Sequence, residues 1–331
     1  MRNRRHDTSS GDILTDGVTV IICTRNGRSK GFLQEALRSV VEQTVAPTEI
    51  LLVDDSSTDG TAEWIHRNFP QVKVVGNQGE GLAAAKNTGI ASTKTRWIAF
   101  MDDDDLWHPE KLSVQLGQAN ASSQPDNTIW VARAAEHREA ASAPVRAVPL
   151  LHLSQWPACL LGFPIMNSSA FLATDLLRRI GRFDESIRQG SGRQYWMRCL
   201  SAGVNVCHSD RILWQYRLHK SQMSRLAARP AIDVEFDKLL VPFLQMLSPA
   251  IAARIRTAKM MCGMRSLAYH VGMRAARDYW ENTSLKPGRF GLRVCAYFLL
   301  DTAALRAPES LEWRLKSWAI QVLLKSSTRA K

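Results

Sequence analysis

Four short apolar runs rich in β-branched residues recur along the first hundred positions: Val18-Thr19-Val20-Ile21-Ile22-Cys23, Ile50-Leu51-Leu52-Val53, Val72 to Val75, and Trp97-Ile98-Ala99-Phe100. Runs of strand length without polar alternation predict strands buried on both faces. Between the first two, Phe32 to Glu42 places apolar residues at Phe32, Leu33, Ala36, Leu37, Val40 and Val41, a helical spacing. Helices are also predicted over Thr61 to Asn68 and Leu82 to Ala91. Strands alternating with helices predict a mostly parallel sheet covered by helices on both faces. Beyond Leu112 the pattern loosens. Strands are predicted at Thr128 to Ala132, Asn167 to Leu172 and Ile212 to Leu218, with helices at Asp175 to Ile180 and Tyr195 to Ala202. Ala119 to Pro125 reads as a loop, and the Ala-rich stretch Ala134 to Ala147 takes no assignment. From Pro230 a helical region runs to the end, broken near Pro249, Pro287-Gly288 and Pro308.

Such sheets bind ligands beyond the carboxyl ends of their strands. Thr24-Arg25-Asn26 follows the first strand, Asp54-Asp55 the second, and Met101-Asp102-Asp103-Asp104-Asp105 the fourth. Consecutive carboxylates repel one another unless a cation sits among them. Mg²⁺ is typically held by one or two carboxylates plus substrate phosphates, so the acidic run points to a metal-diphosphate site rather than a solvated turn. Asp54-Asp55 offers carboxylates to a base or a ribose hydroxyl; capping of the next helix by Asp55, Ser56 or Ser57 is the alternative. Lys86, in the helix after Gly79-Glu80-Gly81, either reaches a phosphate or lies on a solvated face.

The chain has 331 residues, 45% hydrophobic and 22% charged, which excludes a collagen, a disordered tail and a disulfide mini-protein. Its 6 cysteines form no C-x-x-C pair, which argues against a zinc ribbon or disulfide framework and for a reducing cytoplasm. Met1 to Ser10 is basic and polar, and no stretch approaches the roughly 18 uninterrupted apolar residues of a membrane span. The net charge of +12 is uneven: Ile251 to Lys331 holds 15 basic against 5 acidic residues, and the rest 28 against 26. The basicity therefore belongs to the C-terminal segment.

Four motifs in order, Val18 to Asn26, Leu52 to Gly60, Gly81-Leu82-Ala83-Ala84-Ala85-Lys86-Asn87-Thr88-Gly89, and Phe100 to Asp105 with Trp107 and Pro109, resemble the family 2 glycosyltransferases. The resemblance is strong over 17–113, weaker over 165–225, and does not reach the tail. It implies an α/β GT-A fold, Rossmann-like, in which a nucleotide-binding half joins an acceptor-binding half. It also implies transfer of a sugar from a nucleotide-sugar, with inversion at the anomeric carbon. By position it sets Thr24 and Asp55 around the base and ribose, Lys86 near the nucleotide, and Asp102, Asp103 and Asp104 at the diphosphate; Asp54, beside Asp55, is a further nucleotide-sugar-binding candidate. Asp102 and Asp104 form the D-x-D pair, Asp104 being the first choice as direct ligand of Mg²⁺ or Mn²⁺.

Ile180-Gly181-Arg182-Phe183-Asp184-Glu185 resembles the segment before the family's catalytic base, and Tyr195-Trp196-Met197-Arg198 the helix after it. The place between, where the family carries an acidic residue, holds Gly190-Ser191-Gly192-Arg193-Gln194. An alcohol takes up no proton near neutral pH, so Ser191 is no base by itself. Asp184 or Glu185 reaching in, an unusually acidic acceptor, or weak transfer remain as explanations. Tyr216-Arg217-Leu218-His219 resembles the closing Tyr-Arg-x-His stretch, which makes His219 a metal ligand and Arg217 a diphosphate ligand; a structural histidine and a strand-face ion pair are the plainer roles.

The expected organisation is a basic polar tail over 1–16, a GT-A domain over 17–228 divided into a nucleotide-sugar-binding half (17–115) and an acceptor-binding half (116–228), and a basic helical extension over 229–331. The expected function is metal-assisted transfer from a nucleotide-sugar, with a UDP-sugar as the starting expectation, to a glycan or lipid-linked glycan in cell-envelope polysaccharide biosynthesis. The alternative is a weakly catalytic or non-catalytic nucleotide-sugar-binding protein of the same fold. A pyrophosphorylase lacks its Gly-rich signature here, and an aspartyl-phosphate phosphatase would need a threonine where Leu106 stands. In the extension, Leu311, Leu315, Trp318 and Val322 form one apolar stripe and Trp313, Ile320 and Leu324 a second. Such basic helices lie on an anionic membrane surface or pack on the domain, and Val294 to Leu300 adds to either. The protein is thus expected in the cytoplasm, with peripheral contact at the inner face of the cell membrane as the membrane-bound case. No nucleic-acid motif accompanies the charge.

Overall fold

One sheet of eight strands organises the computed structural model, which describes residues 14–138, 156–161, 165–219, 222, 229–270, 274, 278 and 281–283. In chain order the elements are β1 (Thr15–Thr24), the single turn α1 (Gly27–Lys30), α2 (Leu33–Val41), β2 (Glu49–Asp54), α3 (Thr61–Asn68), β3 (Val72–Gly76), α4 (Gly81–Ser92), β4 (Thr95–Asp102) and β5 (Leu106–Trp107). There follow α5 (Lys111–Asn120), β6 (Thr128–Arg138), β7 (Ala170–Ala173), α6 (Thr174–Ile180), α7 (Ser191–Ser201), β8 (Asn205–Leu218), α8 (Arg229–Gln245) and α9 (Pro249–His270). Across the sheet the order is β3-β2-β1-β4-β7-β6-β8-β5. β3, β2, β1 and β4 run parallel. β7 then runs antiparallel to both β4 and β6, β6 and β8 are parallel, and β5 closes the far edge antiparallel to β8. This is the expected α/β sheet of GT-A type, parallel in its first half and mixed in its second.

The elements of the first half follow the hydrophobic pattern closely. The second half departs from it for physical reasons. α5 carries no expected assignment because its buried face is Lys111, Leu112, Gln115 and Ala119, half of it polar. The strand at Thr128 continues through Arg138 into the Ala-rich segment, whose residues 139–147 lie outside the described region. Asn167 to Ser169 forms a 3₁₀ turn and only Ala170 to Ala173 a strand. α7 starts at Ser191 rather than Tyr195, so Ser191 and Gly192 sit in its first turn.

Two aromatic clusters fill the core. Trp97 stacks on Phe171 at 5.3 Å and meets Trp130 edge-on at 5.6 Å; Phe183 stacks on Tyr195 at 3.9 Å, with Phe100 and Trp196 against it. α4 reaches the sheet through small residues, Ala83, Ala84, Ala85 and Gly89. A Cβ on Gly89 would stand 2.6 Å from Ile21 Cγ2. That close approach buries the neighbouring Lys86 and Asn87, at 2% and 3% exposure. Asn87 then serves as a backbone surrogate: its Nδ2 donates to the Phe183 carbonyl at 2.9 Å and its Oδ1 accepts the Phe183 N–H at 2.8 Å.

The described part of the C-terminal extension packs on the domain. α8 lies against α7, α9 against α8 and the 3₁₀ turn Ala158–Leu161, and the Trp156 and Phe243 rings meet at 6.0 Å. Among the described residues no helix is long and apolar enough to cross a membrane. The Met1 to Ser10 tail, Val294 to Leu300 and the two stripes between Leu311 and Leu324 lie outside the described residues.

Gly89→Ala is expected to cost about 1–3 kcal/mol in urea unfolding, because the added methyl meets a fully buried isoleucine. Lys111 supplies a pH-dependent test. Its ammonium is fully buried, donates to Gln115 Oε1 at 2.7 Å and lies 3.9 Å from the Trp107 ring centroid, and burial holds its pKa well below the ordinary lysine value of 10.5. The unfolded chain binds this proton more tightly, so stability rises with pH between the depressed folded value and 10.5. Lys111→Met is expected to flatten that rise, by up to about 1.4 kcal/mol per pH unit, in urea melts from neutral to alkaline pH.

Candidate functional site

The carboxyl ends of β1, β2 and β4 open onto one cavity of about 640 Å³, lined among others by Thr24, Asp55, Asp102, Asp103, Asp104 and His219. Each aspartate of the acidic run has its own set of partners. Asp102 donates its N–H to Ser168 Oγ at 3.0 Å, and its carboxylate receives Asn167 Nδ2 at 3.3 Å. Burial lifts its pKa to about 6, against the pull of the Lys86 charge. Asp103 accepts from Thr24 Oγ1 at 2.5 Å and from Lys30 Nζ at 3.0 Å; burial raises it too, with Lys30 opposing. Asp104 Oδ2 lies 2.9 Å from His219 Nε2. Asp105 turns inward instead, 1% exposed, accepting from Ser168 Oγ at 2.6 Å and from the Arg217 N–H at 3.1 Å. Burial, then the charges of Asp102 and Asp104, raise it well above the usual carboxylate range.

Asp55 Oδ1 accepts from Asn77 Nδ2 at 2.7 Å and from the Gly81 N–H at 3.0 Å, while Oδ2 lies 4.0 Å from Arg25. The loops after β1 and β2 are laced together by Asn26, which takes the left-handed φ of 55° that asparagine tolerates. Its N–H donates to Ser57 Oγ and its Oδ1 accepts the Thr58 N–H, both at 2.8 Å.

Several expected roles are corrected. Asp54 faces its own turn, accepting from the Ser57 N–H at 3.3 Å and from the Ser57 hydroxyl, and does not line the cavity. The α3 terminus is served by Asp59, which accepts the Thr61 N–H at 3.1 Å, and not by Asp55, Ser56 or Ser57. Arg217 is a buried strap rather than a cavity ligand. It is 5% exposed, its guanidinium pairs with Glu35 at 2.5 Å and donates to the Asp104 carbonyl at 2.9 Å, and it lies 4.9 Å from the Phe32 ring centroid. The strand-face ion pair is thus the arrangement found.

Lys86 is buried and does not line the cavity; it lies 5.4 Å from the Phe183 ring centroid, its pKa lowered by burial and raised in part by Asp102. Asp184 accepts the Ser186 N–H at 3.0 Å within its own turn. Glu185 reaches the cavity, where Asn87 Nδ2 at 2.8 Å and Arg182 at 2.6 Å hold its carboxyl below the usual range. Ser191 is 4% exposed, and the Gly190 to Gln194 segment brings no carboxylate. Arg25, Lys30, Asn167 and Arg188 also line the cavity. Sequence reasoning gives a role to none of these four: Arg25 is noted only as part of a polar strand end, Lys30 arrives from the single turn α1, Asn167 from a 3₁₀ turn and Arg188 from a loop, none with a periodicity.

Among the described residues no cluster of three acidic, histidine or cysteine side chains is arranged to hold a metal. The donor set still fits Mg²⁺ or Mn²⁺: Asp104 and His219 face each other at the cavity wall, and such ions take most of their ligands from substrate phosphates and water.

Residues 19–132 match the family model described as glycosyl transferase family 2. An uncharacterized glycosyltransferase of Rickettsia typhi is 24% identical over 236 residues, 70% of this chain and 72% of the relative. WfgD of Escherichia coli, named as a UDP-Glc:alpha-D-GlcNAc-diphosphoundecaprenol beta-1,3-glucosyltransferase, is 32% identical over 103 residues, 30% of this chain and 41% of WfgD. Among solved structures, S. aureus TarS 1-349 in complex with UDP-GlcNAc superposes with a TM-score of 0.56 at 15% identity, covering 95% of this chain and 92% of that one. The mannosyltransferase PcManGT from Pyrobaculum calidifontis in complex with GDP-Man and Mn²⁺ gives 0.57 at 16% identity, covering 96% and 88%. At these identities the structures speak for the fold.

Arg217→Lys is expected to destabilise the chain by about 1–3 kcal/mol in urea unfolding, because an ammonium cannot span both Glu35 and the Asp104 carbonyl.

Proposed function

We propose, for a chain whose residues 19–132 match glycosyl transferase family 2, that it moves a sugar from a nucleotide-sugar to a lipid-linked glycan. The observation that carries this reading is the single cavity into which β1, β2 and β4 deliver Thr24, Asp55 and the acidic run. The support for a lipid-linked acceptor is the name of WfgD, and UDP is the favoured donor nucleotide. An acceptor bound to lipid would bring the enzyme to the inner face of the cell membrane.

In this reading Thr24 and Asp55 hold the nucleoside, and Asp102 to Asp104 with His219 face the diphosphate. The acceptor hydroxyl attacks the anomeric carbon as the bond to the diphosphate oxygen breaks, which inverts that centre. A divalent cation held by Asp104 and His219, with Asp102 beside them, would offset the negative charge that builds on the leaving nucleoside diphosphate. The proton goes to a carboxylate, for which Glu185 is the candidate at the cavity. General-base help is worth about 10²–10⁴-fold, and a carboxyl held below its usual range is a weak base, so slow transfer is expected. A second reading, a donor-binding protein that transfers poorly, is favoured by the missing carboxylate at 190–194.

The test is nucleoside diphosphate release from UDP-glucose, UDP-GlcNAc and GDP-mannose, with Mn²⁺ or EDTA, alone and with a synthetic GlcNAc-diphospho-lipid. Release that needs metal and falls at least about a hundredfold in Asp104→Ala is the expected result. UDP binding without release under any condition favours the donor-binding reading, and absence of binding refutes both.

A further inference from the structure

Asn77, the first residue after β3, holds Asp55 with an amide whose every hydrogen-bonding position is in use. Its Nδ2 donates to Asp55 Oδ1 at 2.7 Å and to the Gly81 carbonyl at 3.3 Å. Its Oδ1 accepts the Gly79 N–H and the Thr88 hydroxyl, both at 3.2 Å. Those contacts use both donors and both acceptor sites of an asparagine amide. A flipped amide would set oxygen against a carboxylate and a carbonyl, so the orientation is fixed. The surroundings are ordered in the same way: Thr88, buried on α4, accepts the Gln78 N–H at 3.1 Å, and the Asn77 N–H donates to the Asp54 carbonyl at 3.0 Å. Asn77 is thereby tied to the end of β2, to the loop before α4 and to α4 itself.

Saturation decides what this residue can do. Asn77 does not line the cavity and has no donor or acceptor left for a ligand, so any influence it has on the site passes through Asp55. Asp55 does line the cavity. Its Oδ1 takes the Asn77 amide and the Gly81 N–H, at 2.7 and 3.0 Å. Its Oδ2 has the Arg25 guanidinium 4.0 Å away, beyond hydrogen-bonding reach. An unheld carboxylate rotates and offers either oxygen, whereas this one is left with Oδ2 to offer, as an acceptor. We propose that Asn77 is a positioning residue, fixing the Asp55 carboxylate so that Oδ2 meets an N–H or O–H of the nucleoside. This rests on the reading of the cavity as a nucleotide-sugar site in which Asp55 holds the nucleoside.

The experiment compares the full chain with Asn77→Ala, Asp55→Asn and, as a control for lost stability, Thr93→Val, which removes a buried hydroxyl bonded to the Gly89 carbonyl at the far end of α4. Titration calorimetry measures the Kd of UDP and CDP with Mn²⁺ and with EDTA, and each variant is melted. Asn77→Ala is expected to weaken UDP roughly 10-fold with Mn²⁺ and with EDTA alike, so that the gain from metal is unchanged, while Thr93→Val melts lower and binds UDP as the wild type does. Asp55→Asn keeps an oxygen toward Asn77 and Gly81 and turns its N–H groups to the ligand, so it is expected to fold normally and lose UDP by a similar factor. A gain for CDP in that variant, whose ring nitrogen accepts where that of UDP donates, identifies the base as the partner; equal loss of both nucleotides identifies a ribose hydroxyl. The positioning role is overturned by an Asn77→Ala or Asp55→Asn protein with the UDP affinity of the wild type. It is overturned equally if Thr93→Val weakens UDP as much, or if Asn77→Ala loses only the gain from metal. A wild type that does not bind UDP overturns the cavity reading as well.

Discussion

Adjacent carboxylates repel, and the site depends on how the chain disposes of that repulsion. Asp102 to Asp105 leave the end of β4 together, yet each meets a different part of the molecule: Asn167, Thr24 with Lys30, His219, and Ser168 with Arg217. Asp105 gives up the cavity altogether. By turning inward it anchors the loop to the β7 turn and to β8, so that its three predecessors stay at the cavity edge. Arg217 completes the anchor from behind, reaching Glu35 on α2 and the Asp104 carbonyl at once. The far end of the sheet is therefore a structural requirement of the acidic loop, since β8 supplies Arg217 and its continuation supplies His219.

The other constraint is steric. α4 comes down on β1 through alanines and Gly89, and that proximity buries a lysine and an asparagine. Burying them is tolerable because Asn87 meets both backbone groups of Phe183, while Lys86 lies near a carboxylate and an aromatic face. The same two positions join the parallel half of the sheet to the segment leading into α7.

Much of this is legible in the chain. β1, β2, β3 and β4 are built on short, mostly apolar runs, and the polar ends of β1, β2 and β4 announce the cavity. What stays hidden is side-chain direction within a polar cluster. Asp54 and Asp55 are neighbours with the same chemistry, and only the path of the turn sends one into its own loop and the other to the cavity. Arg217 carries the same charge whether it faces a diphosphate or Glu35, and the decision belongs to a helix more than a hundred residues away in sequence. α5 escapes notice because Lys111 and Gln115 occupy its buried face. Asn167 escapes because its value lies in the antiparallel entry of β7 beside β4, a pairing that no local pattern encodes.

The Asn87 bridge has a consequence for how the molecule tolerates change. Two of its hydrogen bonds are made to the backbone of Phe183, which impose a position on the chain without dictating its sequence, and a third goes to the Glu185 carboxylate. Residues 184–190, which follow that fixed point and end at α7, include cavity-lining Glu185, Ile187 and Arg188. Such a tether sets the start of the loop from α4 through backbone groups that any residue carries, and leaves only the Glu185 contact to depend on a side chain. Diversity at this rim is thereby uncoupled from the integrity of the sheet beneath it.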